Sequence, residues 1–233
     1  DLLERLPKAA EHGVKAVASP LASNEDLGAF KAVVEALDGG EIVYRMPMAD
    51  EERPLKGYPE LARRRELAPN GTGAELMGMR RVGDDDARGG LEDVADHQGL
   101  LLVLGDPLED QGEDFGRNAD LYVHFGTQGG TAQGNAHFLL PVTTFAEQEG
   151  TFTNRDGRVQ RFWPALESPG ASRPAWFVLG VLLAEGTGQA AAKSAADSFG
   201  LLAGEVDAFA GLTYDDIGTR GAVVNETVSL SGD

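Results

Sequence analysis

Carboxylates and histidines are the side chains of this sequence whose types could support acid–base catalysis or bind a metal. Glu147 and Glu149 could form an acid–base pair, but two residues apart on a predicted helix they point to different faces. The sequence has four histidines, at His12, His97, His124 and His137. Their spacing is not that of a compact set of metal ligands. His124 alternates with apolar residues in a predicted strand, which favours a hydrogen-bonded structural role. We therefore predict no catalytic residue and no metal ligand.

Acidic and glycine-rich segments supply two more possible ligand sites. The aspartates at residues 84–86 could attract calcium, but the spacing of an EF-hand loop is missing, so a solvated loop is favoured. Gly71, Gly73 and Gly78 invite comparison with a dinucleotide-binding loop. The third glycine, however, falls too late for Gly-x-Gly-x-x-Gly, and no clean strand precedes the segment. We expect neither a calcium site nor an NADH site here.

The composition excludes several classes of function. A formal charge of −18 opposes binding to nucleic acid, because such binding needs a positive surface that neutralises phosphates. The chain has no cysteine, so it can form no disulfide and can supply no thiolate to zinc or to an iron–sulfur cluster. No apolar run approaches the roughly 20 residues that cross a bilayer. We expect an acidic, water-soluble protein without direct membrane insertion.

Hydrophobic patterns along the first part of the chain predict alternating strands and helices. Residues 14–18 predict a strand, and Ser23 is the predicted N-cap of a helix with Glu25 and Asp26 in its first turn. Residues 41–44 predict the next strand. This order favours an α/β fold with Rossmann-like layers, in which helices flank a mainly parallel sheet.

The rest of the chain predicts buried strands among less regular segments. Residues 49–96 mix prolines with glycines and predict an irregular region with short helices. Residues 100–104 and 121–125 predict strands, and the first of them is apolar enough for a central parallel strand. The Ala-rich residues 190–204 predict a helix, and alternating apolar residues at 223–230 predict an edge strand.

The length allows one large domain or two lobes. We predict an α/β lobe at residues 1–140 and a return segment with a hairpin and C-terminal helices at residues 141–233. The two could form one continuous domain. Pro174 fits the first turn of a helix in the second part.

One run, LLPVTTFAEQEGTFTNRDGRVQR at residues 139–161, resembles the signature of the molybdopterin oxidoreductase superfamily. The matching positions are Leu140, Pro141, Glu147, Gly150, Thr151, Phe152, Asn154, Gly157, Arg158 and Gln160. Asn154 and Asp156 before Gly157 also predict a tight hairpin between residues 151–153 and 158–160, because glycine allows the turn conformation.

Three weaker resemblances to the same superfamily follow one another in the order that the superfamily requires. Ser23, Asn24, Glu25 and Asp26 look like its "Thr-Asn-Glu" helix start. Asn70, Gly71, Gly73, Ala74 and Gly78 resemble its "Asn-x-x-Gly-Ala-x-x-x-Gly" loop. Gly105, Asp106 and Pro107 resemble "Gly-x-Asn-Pro" after a strand, but the usual Asn is missing.

The end of the chain resembles one branch of the superfamily, the large iron–sulfur subunit of the bacterial NADH:quinone oxidoreductases, respiratory complex I. The similar residues are AFAGLTY at 208–214 and the pair Ile217-Gly218. This resemblance implies a C-terminal fragment that acts as a scaffold in the hydrophilic arm, contacts other arm subunits on the cytoplasmic side of the bacterial inner membrane, and has no redox centre of its own. Its parent subunit would carry [2Fe-2S] and [4Fe-4S] clusters on sequence before Asp1, in the electron-transport chain from NADH to quinone.

The resemblance also implies which residues could be vestiges of a pterin site. These candidates are Asn70, Gly71, Gly105, Asp106, Gly129, Gly130, Asn154 and Arg158. The catalytic enzymes of the superfamily clamp their dinucleotide cofactor with a further β-barrel domain after this region. We expect no cofactor here, because this chain has no sequence left to form such a domain. For Arg158 and Arg161, pairing with Asp156 or Glu149 is favoured over a phosphate. The alternative function is a fragment of a catalytic, formate dehydrogenase-like molybdopterin oxidoreductase.

Overall fold

A computed structural model describes residues 1–83, 89–105, 108, 110–188 and 190–225. The helices are α1 Leu2–Ala10, α2 Asn24–Ala36, α3 Gly71–Leu76, α4 Glu92–Ala95, α5 Ala175–Thr187, α6 Ala195–Glu205 and α7 Tyr214–Ile217. The strands are β1 Val14–Ala18, β2 Ile42–Tyr44, β3 Arg53–Leu55, β4 Tyr58–Arg63, β5 Arg80–Arg81, β6 Leu100–Leu104, β7 Leu121–Gly126, β8 Phe138–Pro141, β9 Gly150–Thr153, β10 Arg158–Phe162 and β11 Ala222–Val223.

The central element is a six-stranded sheet in the order β5-β2-β1-β6-β7-β8. Every neighbouring pair in it is parallel. Helices flank this sheet, which confirms the predicted α/β fold with a mainly parallel sheet. A three-stranded antiparallel sheet, β11-β10-β9, and the two-stranded hairpin β3-β4 lie outside it.

The core has two parts because successive side chains of each central strand point to opposite faces of the sheet. Leu100, Leu102 and Leu104 of β6 pack into the cluster that includes α2, α5 and α6. Leu101 and Val103 pack into the other cluster, with α4. All residues of β6 are buried, as the continuous apolar run predicts.

Three sequence predictions about the elements need correction. The helix expected at residues 190–204 begins only at Ala195, because Gly188 in a left-handed conformation (φ +74°) ends α5 and Ser194 caps α6. The region expected to be irregular contains the β3-β4 hairpin, which turns at Gly57 with φ +89°. For the edge strand predicted at 223–230, the described residues show the two-residue strand Ala222–Val223, which shares only Val223 with the prediction; residues 226–230 lie outside the described residues.

The two predicted parts of the chain are in direct contact. Helix α5 of the second part packs along α2 of the first. Backbone N–H groups of the second part also donate to side chains of the first, for example Trp176 N to Asp26 Oδ1 at 2.8 Å. The division at residue 140 stays a prediction.

Candidate functional site

The first turn of α2 is the point at which the segments that resemble the superfamily meet. Ser23 caps the helix: its hydroxyl accepts from Asp26 N at 3.1 Å, and Asp26 Oδ2 accepts from Ser23 N at 3.2 Å. The cap is as predicted. The sequence does not indicate, however, that Asn24, Glu25 and Asp26 are all at most 2% exposed.

Around this turn lies a group of buried polar side chains that we call the polar cluster. Its members are Asn24, Glu25, Asp26, Asn70, Gln148, Thr151, Thr153 and Tyr214. Glu25 accepts hydrogen bonds from Thr151 N, Thr151 Oγ1 and Tyr214 Oη, each at 2.8 Å. Gln148 Nε2 donates to Asp26 Oδ2 at 2.8 Å. Both acidic side chains therefore accept hydrogen bonds from residues far along the chain.

The two asparagines of the polar cluster join the other motif segments to the same strand. Asn24 Nδ2 donates to the hydroxyls of Thr151 and Thr153, each at 3.0 Å. Asn70 Oδ1 accepts from Thr153 N at 2.8 Å, and Asn70 Nδ2 donates to Ala22 O at 2.9 Å. A Cβ at Gly73 would clash with the Oδ1 atoms of both asparagines, so this position requires glycine. The motif segments, although far apart in the sequence, are therefore in direct contact in the fold.

Burial dominates the electrostatics of the polar cluster. It raises the pKa of Glu25 to about 7, although the hydrogen bonds from Thr151 and Tyr214 favour the charged form. Burial likewise raises the pKa of Asp26 against the bonds from Trp176, Ser23 and Gln148. These carboxyls bind internal groups, and their role is to hold β9 and α5 on the first turn of α2.

The carboxyl edge of the parallel sheet is the place where an open α/β sheet binds ligands, at the point where the strand order reverses. Here that point lies between β1 and β6. Gly105 follows β6 with φ +82°, and a Cβ there would clash with Ser19 Cβ after β1. Arg45, which follows β2, is buried and forms a two-fold ion pair with Asp110, one bond being Nη1 to Oδ2 at 2.7 Å. The guanidinium lowers the pKa of Asp110.

Two clefts open at this edge. The first, the arginine cleft, has a volume of about 640 Å³ and is lined by Met46, Met48, Glu52, Arg64, Arg65, Glu66, Gly71, Thr72, Glu75, Arg81 and Arg155. Within it Arg64 pairs with Glu52 at 3.0 Å and Arg81 pairs with Glu66 at 2.6 Å. The second, the glutamine cleft, has a volume of about 300 Å³ and is lined by Leu108, Gln111, Gln128, Gly129, Gly130, Thr131, Ala132 and Gln133.

The candidate pterin-facing residues are distributed over several places instead of one pocket. Gly71 lines the arginine cleft, where a Cβ would clash with the methyl group of Met46. Gly129 and Gly130 line the glutamine cleft, and Gly105 lies at the crevice between β1 and β6. Asn70 is inside the polar cluster.

The remaining candidates support the β9-β10 hairpin. Asn154 Oδ1 accepts from Asp156 N at 3.0 Å and from Arg158 N at 2.9 Å, and Gly157 turns the chain with φ +70°. Arg158 Nη1 donates to Gly221 O at 3.2 Å. These contacts confirm the predicted hairpin and show that Asn154 closes its turn. Asp106 and residues 84–86 lie outside the described residues.

The other residues that the sequence singles out have structural partners. Arg161 Nε donates to Glu149 at 2.8 Å, one of the expected pairings, and its guanidinium lies 4.6 Å from the Tyr214 ring centre. His124 is fully buried, with its Nδ1 3.3 Å from Tyr122 Oη. Within the described ranges, no group of three or more His, Asp or Glu side chains could hold a metal ion.

Sequence reasoning missed the arginine cleft and the partners of Glu25. The arginines of the cleft come from three separate segments, and Tyr214 reaches Glu25 across 189 positions. In the sequence, the run of three arginines at residues 63–65 is the feature that indicates a basic group in the arginine cleft. In the part of the chain that the structure describes, no helix is long and apolar enough to cross a membrane.

Comparison with known proteins gives a match for the middle of the chain. Residues 94–185, from α4 to α5, match the family model of the molybdopterin oxidoreductases. The alpha subunits of F420-dependent formate dehydrogenases 2 and 1 of Methanococcus maripaludis are each 34% identical, over 88 and 89 residues, which is 37% of this chain and 13% of each relative. The putative formate dehydrogenase YrhE of Bacillus subtilis is 43% identical over 44 residues, 19% of this chain and 4% of that protein.

These matches support the superfamily resemblance for the part of the chain that contains β6 to β10. The chain spans about 13% of the length of the first two relatives, which are much longer proteins. Two of these relatives are named formate dehydrogenase alpha subunits and the third a putative formate dehydrogenase, so the comparisons favour the alternative function over the complex I branch. The assignment to the complex I branch stays a prediction.

Proposed function

We propose that this chain is an α/β part of a molybdopterin oxidoreductase polypeptide similar to the alpha subunits of formate dehydrogenases. We further propose that the carboxyl edge of its sheet binds the phosphate-bearing end of the pterin cofactor. The observation that carries the proposal is the match of residues 94–185, together with the identity to formate dehydrogenase alpha subunits. The sequence on its own leaves this function open as the alternative to a scaffold.

The side chains of the arginine cleft fit a phosphate-bearing group. Guanidinium groups bind phosphate oxygens through paired, charge-assisted hydrogen bonds. The cleft offers Arg64, which follows the β3-β4 hairpin, Arg81 of β5 and Arg155 of the β9-β10 turn. Three glutamates, Glu52, Glu66 and Glu75, line it as well. Gly71 lines this space without a side chain, and a Cβ there would clash with the methyl group of Met46. When bound, the cofactor would supply the molybdenum redox chemistry, and this chain would bind and orient its phosphates.

Titration with inorganic pyrophosphate tests the proposal. We expect binding, followed calorimetrically at low ionic strength, that weakens several-fold in Arg155→Gln. Arg117→Gln is a matched control, since Arg117 is exposed and lies outside the cleft, beside Asp114. Loss of binding in both variants would show only a general charge effect, and no binding by the unmodified chain would reject the phosphate site.

The second candidate is the scaffold of the complex I branch, without a redox centre of its own. It is favoured by one observation: Asn154, one of the residues that the resemblance places toward a pterin, bonds to backbone groups of its own hairpin instead. In that case the partners would be other subunits of the hydrophilic arm, and the iron–sulfur clusters would lie on another part of the polypeptide.

The full-length polypeptide distinguishes the two candidates. Cysteine motifs for several clusters, without a metal-binding Cys, selenocysteine or Ser in the pterin region, would support the scaffold. A C-terminal β-barrel domain would support the catalytic enzyme. Elemental analysis for molybdenum, with pterin fluorescence after oxidation, gives an independent readout on that polypeptide.

A further inference from the structure

The arginine cleft contains carboxylates that compete with a phosphate for its guanidinium groups. Glu52 and Glu66 line the cleft together with Arg64 and Arg81. Arg64 Nη1 donates to Glu52 Oε1 at 3.0 Å and to Glu52 Oε2 at 3.2 Å. Arg81 Nη1 donates to Glu66 Oε1 at 2.6 Å, and Arg81 Nη2 donates to Met48 Sδ at 3.4 Å. Guanidinium nitrogens that a phosphate would need are therefore already bonded within the chain.

Both ion pairs of the arginine cleft are open to solvent and can be exchanged. Each of the four side chains is between 36% and 52% exposed. An ion pair in such a position contributes little to stability, because water solvates both partners when they separate. A phosphate offers a guanidinium the same charge-assisted hydrogen bonds as a carboxylate does. A phosphate can therefore replace either carboxylate without disrupting the fold.

The other charged residues that line the arginine cleft are bonded differently. Arg65 Nε donates to the backbone oxygen of Ala49 at 3.1 Å. Arg155 forms no ion pair with any residue that the structure describes. Glu75 Oε1 accepts from the buried Tyr44 Oη at 2.7 Å, and within the described ranges Glu75 pairs with no arginine. Arg155 is therefore available to a ligand, whereas Glu75 adds a negative charge to the cleft without occupying a guanidinium.

We propose that the arginine cleft inhibits itself: Glu52 and Glu66 occupy Arg64 and Arg81 until a phosphate-bearing ligand, which Arg155 also binds, displaces them. This inference rests on the proposed function, because it requires that the cleft binds phosphate. It adds that the affinity is set by a competition between the ligand and two carboxylates of the chain. The two glutamates therefore lower the affinity in two ways, through their negative charge and through the donors that they occupy.

The test compares glutamates that occupy an arginine with one that does not. Pyrophosphate is titrated calorimetrically, at low ionic strength, into the full 233-residue chain and into Glu52→Gln, Glu66→Gln and Glu75→Gln. Each variant removes one negative charge from the lining of the cleft, but only the first two release a guanidinium. Glu75→Gln is the matched control, since the amide oxygen can still accept from Tyr44. We expect the first two to bind pyrophosphate about 2- to 5-fold more tightly than the control does, the range of an exposed ion pair.

A double variant separates the competition from the charge. In a chain that already carries Arg64→Gln, Glu52→Gln has no guanidinium to release, so it should improve binding no more than Glu75→Gln does in the same chain. If pyrophosphate binds the unmodified chain, but Glu52→Gln and Glu66→Gln bind it no more tightly than Glu75→Gln does, the self-inhibition is refuted and the phosphate site remains. If pyrophosphate binds neither the unmodified chain nor any of these variants, the phosphate site and the self-inhibition are both rejected.

Discussion

The buried carboxyl of Glu25 predicts how the stability of this protein depends on pH. Burial raises its pKa from 4.5 to about 7, so the folded chain holds the proton more tightly than the unfolded chain does. The contribution of Glu25 is therefore most favourable below pH 4.5. It declines as the pH rises toward 7 and is constant above that value. Glu25→Gln should remove this dependence, because an amide cannot ionise.

The magnitude follows from the difference between the two pKa values. Each pKa unit corresponds to about 1.4 kcal/mol, so a shift from 4.5 to about 7 makes folding about 3 kcal/mol less favourable at pH 8 than at pH 4. Asp26 also has a raised pKa and acts in the same direction. Glu149 and Arg161 are the charged groups on the other side of Tyr214. The difference between variant and parent at each pH cancels these common contributions.

The substitution preserves the shape of the site. The amide oxygen of Gln can accept from Thr151 N, and its NH₂ group can donate to the hydroxyls of Thr151 or Tyr214, which are able to accept. Urea unfolding at intervals from pH 4 to pH 8 gives the free energy of unfolding of both proteins. The variant should gain about 3 kcal/mol relative to the parent across this range.

The control is Glu4→Gln, which removes one exposed carboxyl from α1 and alters the net charge equally. Its difference from the parent should change little with pH. A constant difference between Glu25→Gln and the parent from pH 4 to pH 8 would refute the reasoning, whatever its absolute size, because it would mean that Glu25 ionises alike in both states.

Two further substitutions test the close contacts that hold the motifs together. Thr153→Val removes the hydroxyl that accepts from Asn24 Nδ2 and should lower the free energy of unfolding in urea by about 1–3 kcal/mol; an unchanged midpoint would contradict this role. Gly105→Ala should cost about 2–4 kcal/mol in the same assay, because its positive φ is compounded by a clash with Ser19. Gly170→Ala has a positive φ but open space and should cost only about 1 kcal/mol; equal losses would mean that the clash is unimportant.

The sequence predicts those elements that neighbouring residues determine. Val14–Ala18 and Leu100–Leu104 are strands with the predicted bounds. The second is buried and apolar at every position, as a central parallel strand is, whereas the first contains Lys15 and is fully buried only from Ala16. The Ser23 cap is also local, since its acceptor and donor are three residues apart. In each case the residues that determine the structure lie next to one another.

The predictions fail where distant groups decide the structure. Glu25 and Asp26 read as acidic residues that favour a helix start on the surface, yet donors from Thr151 and Trp176 make their burial possible. The Ala-rich segment has high helix propensity, but Ser194 starts α6 later than propensity predicts. The burial of Glu25 and Asp26 has no local pattern that could reveal it, whereas the start of α6 has one, Ser194 three residues before Asp197.

The polar cluster changes what the superfamily resemblance implies. Asn24, Glu25 and Asn70 bond to other parts of the same motifs, and these bonds stabilise the fold whether or not a cofactor binds at the sheet edge. A chain that has lost its pterin would keep these residues under the same structural constraint as a catalytic one. The polar cluster therefore supports the fold, and it does not discriminate between the two candidate functions. Discrimination depends on side chains that the fold does not need, such as Arg155 in the arginine cleft, and substitutions there should change pyrophosphate binding while leaving stability nearly unchanged.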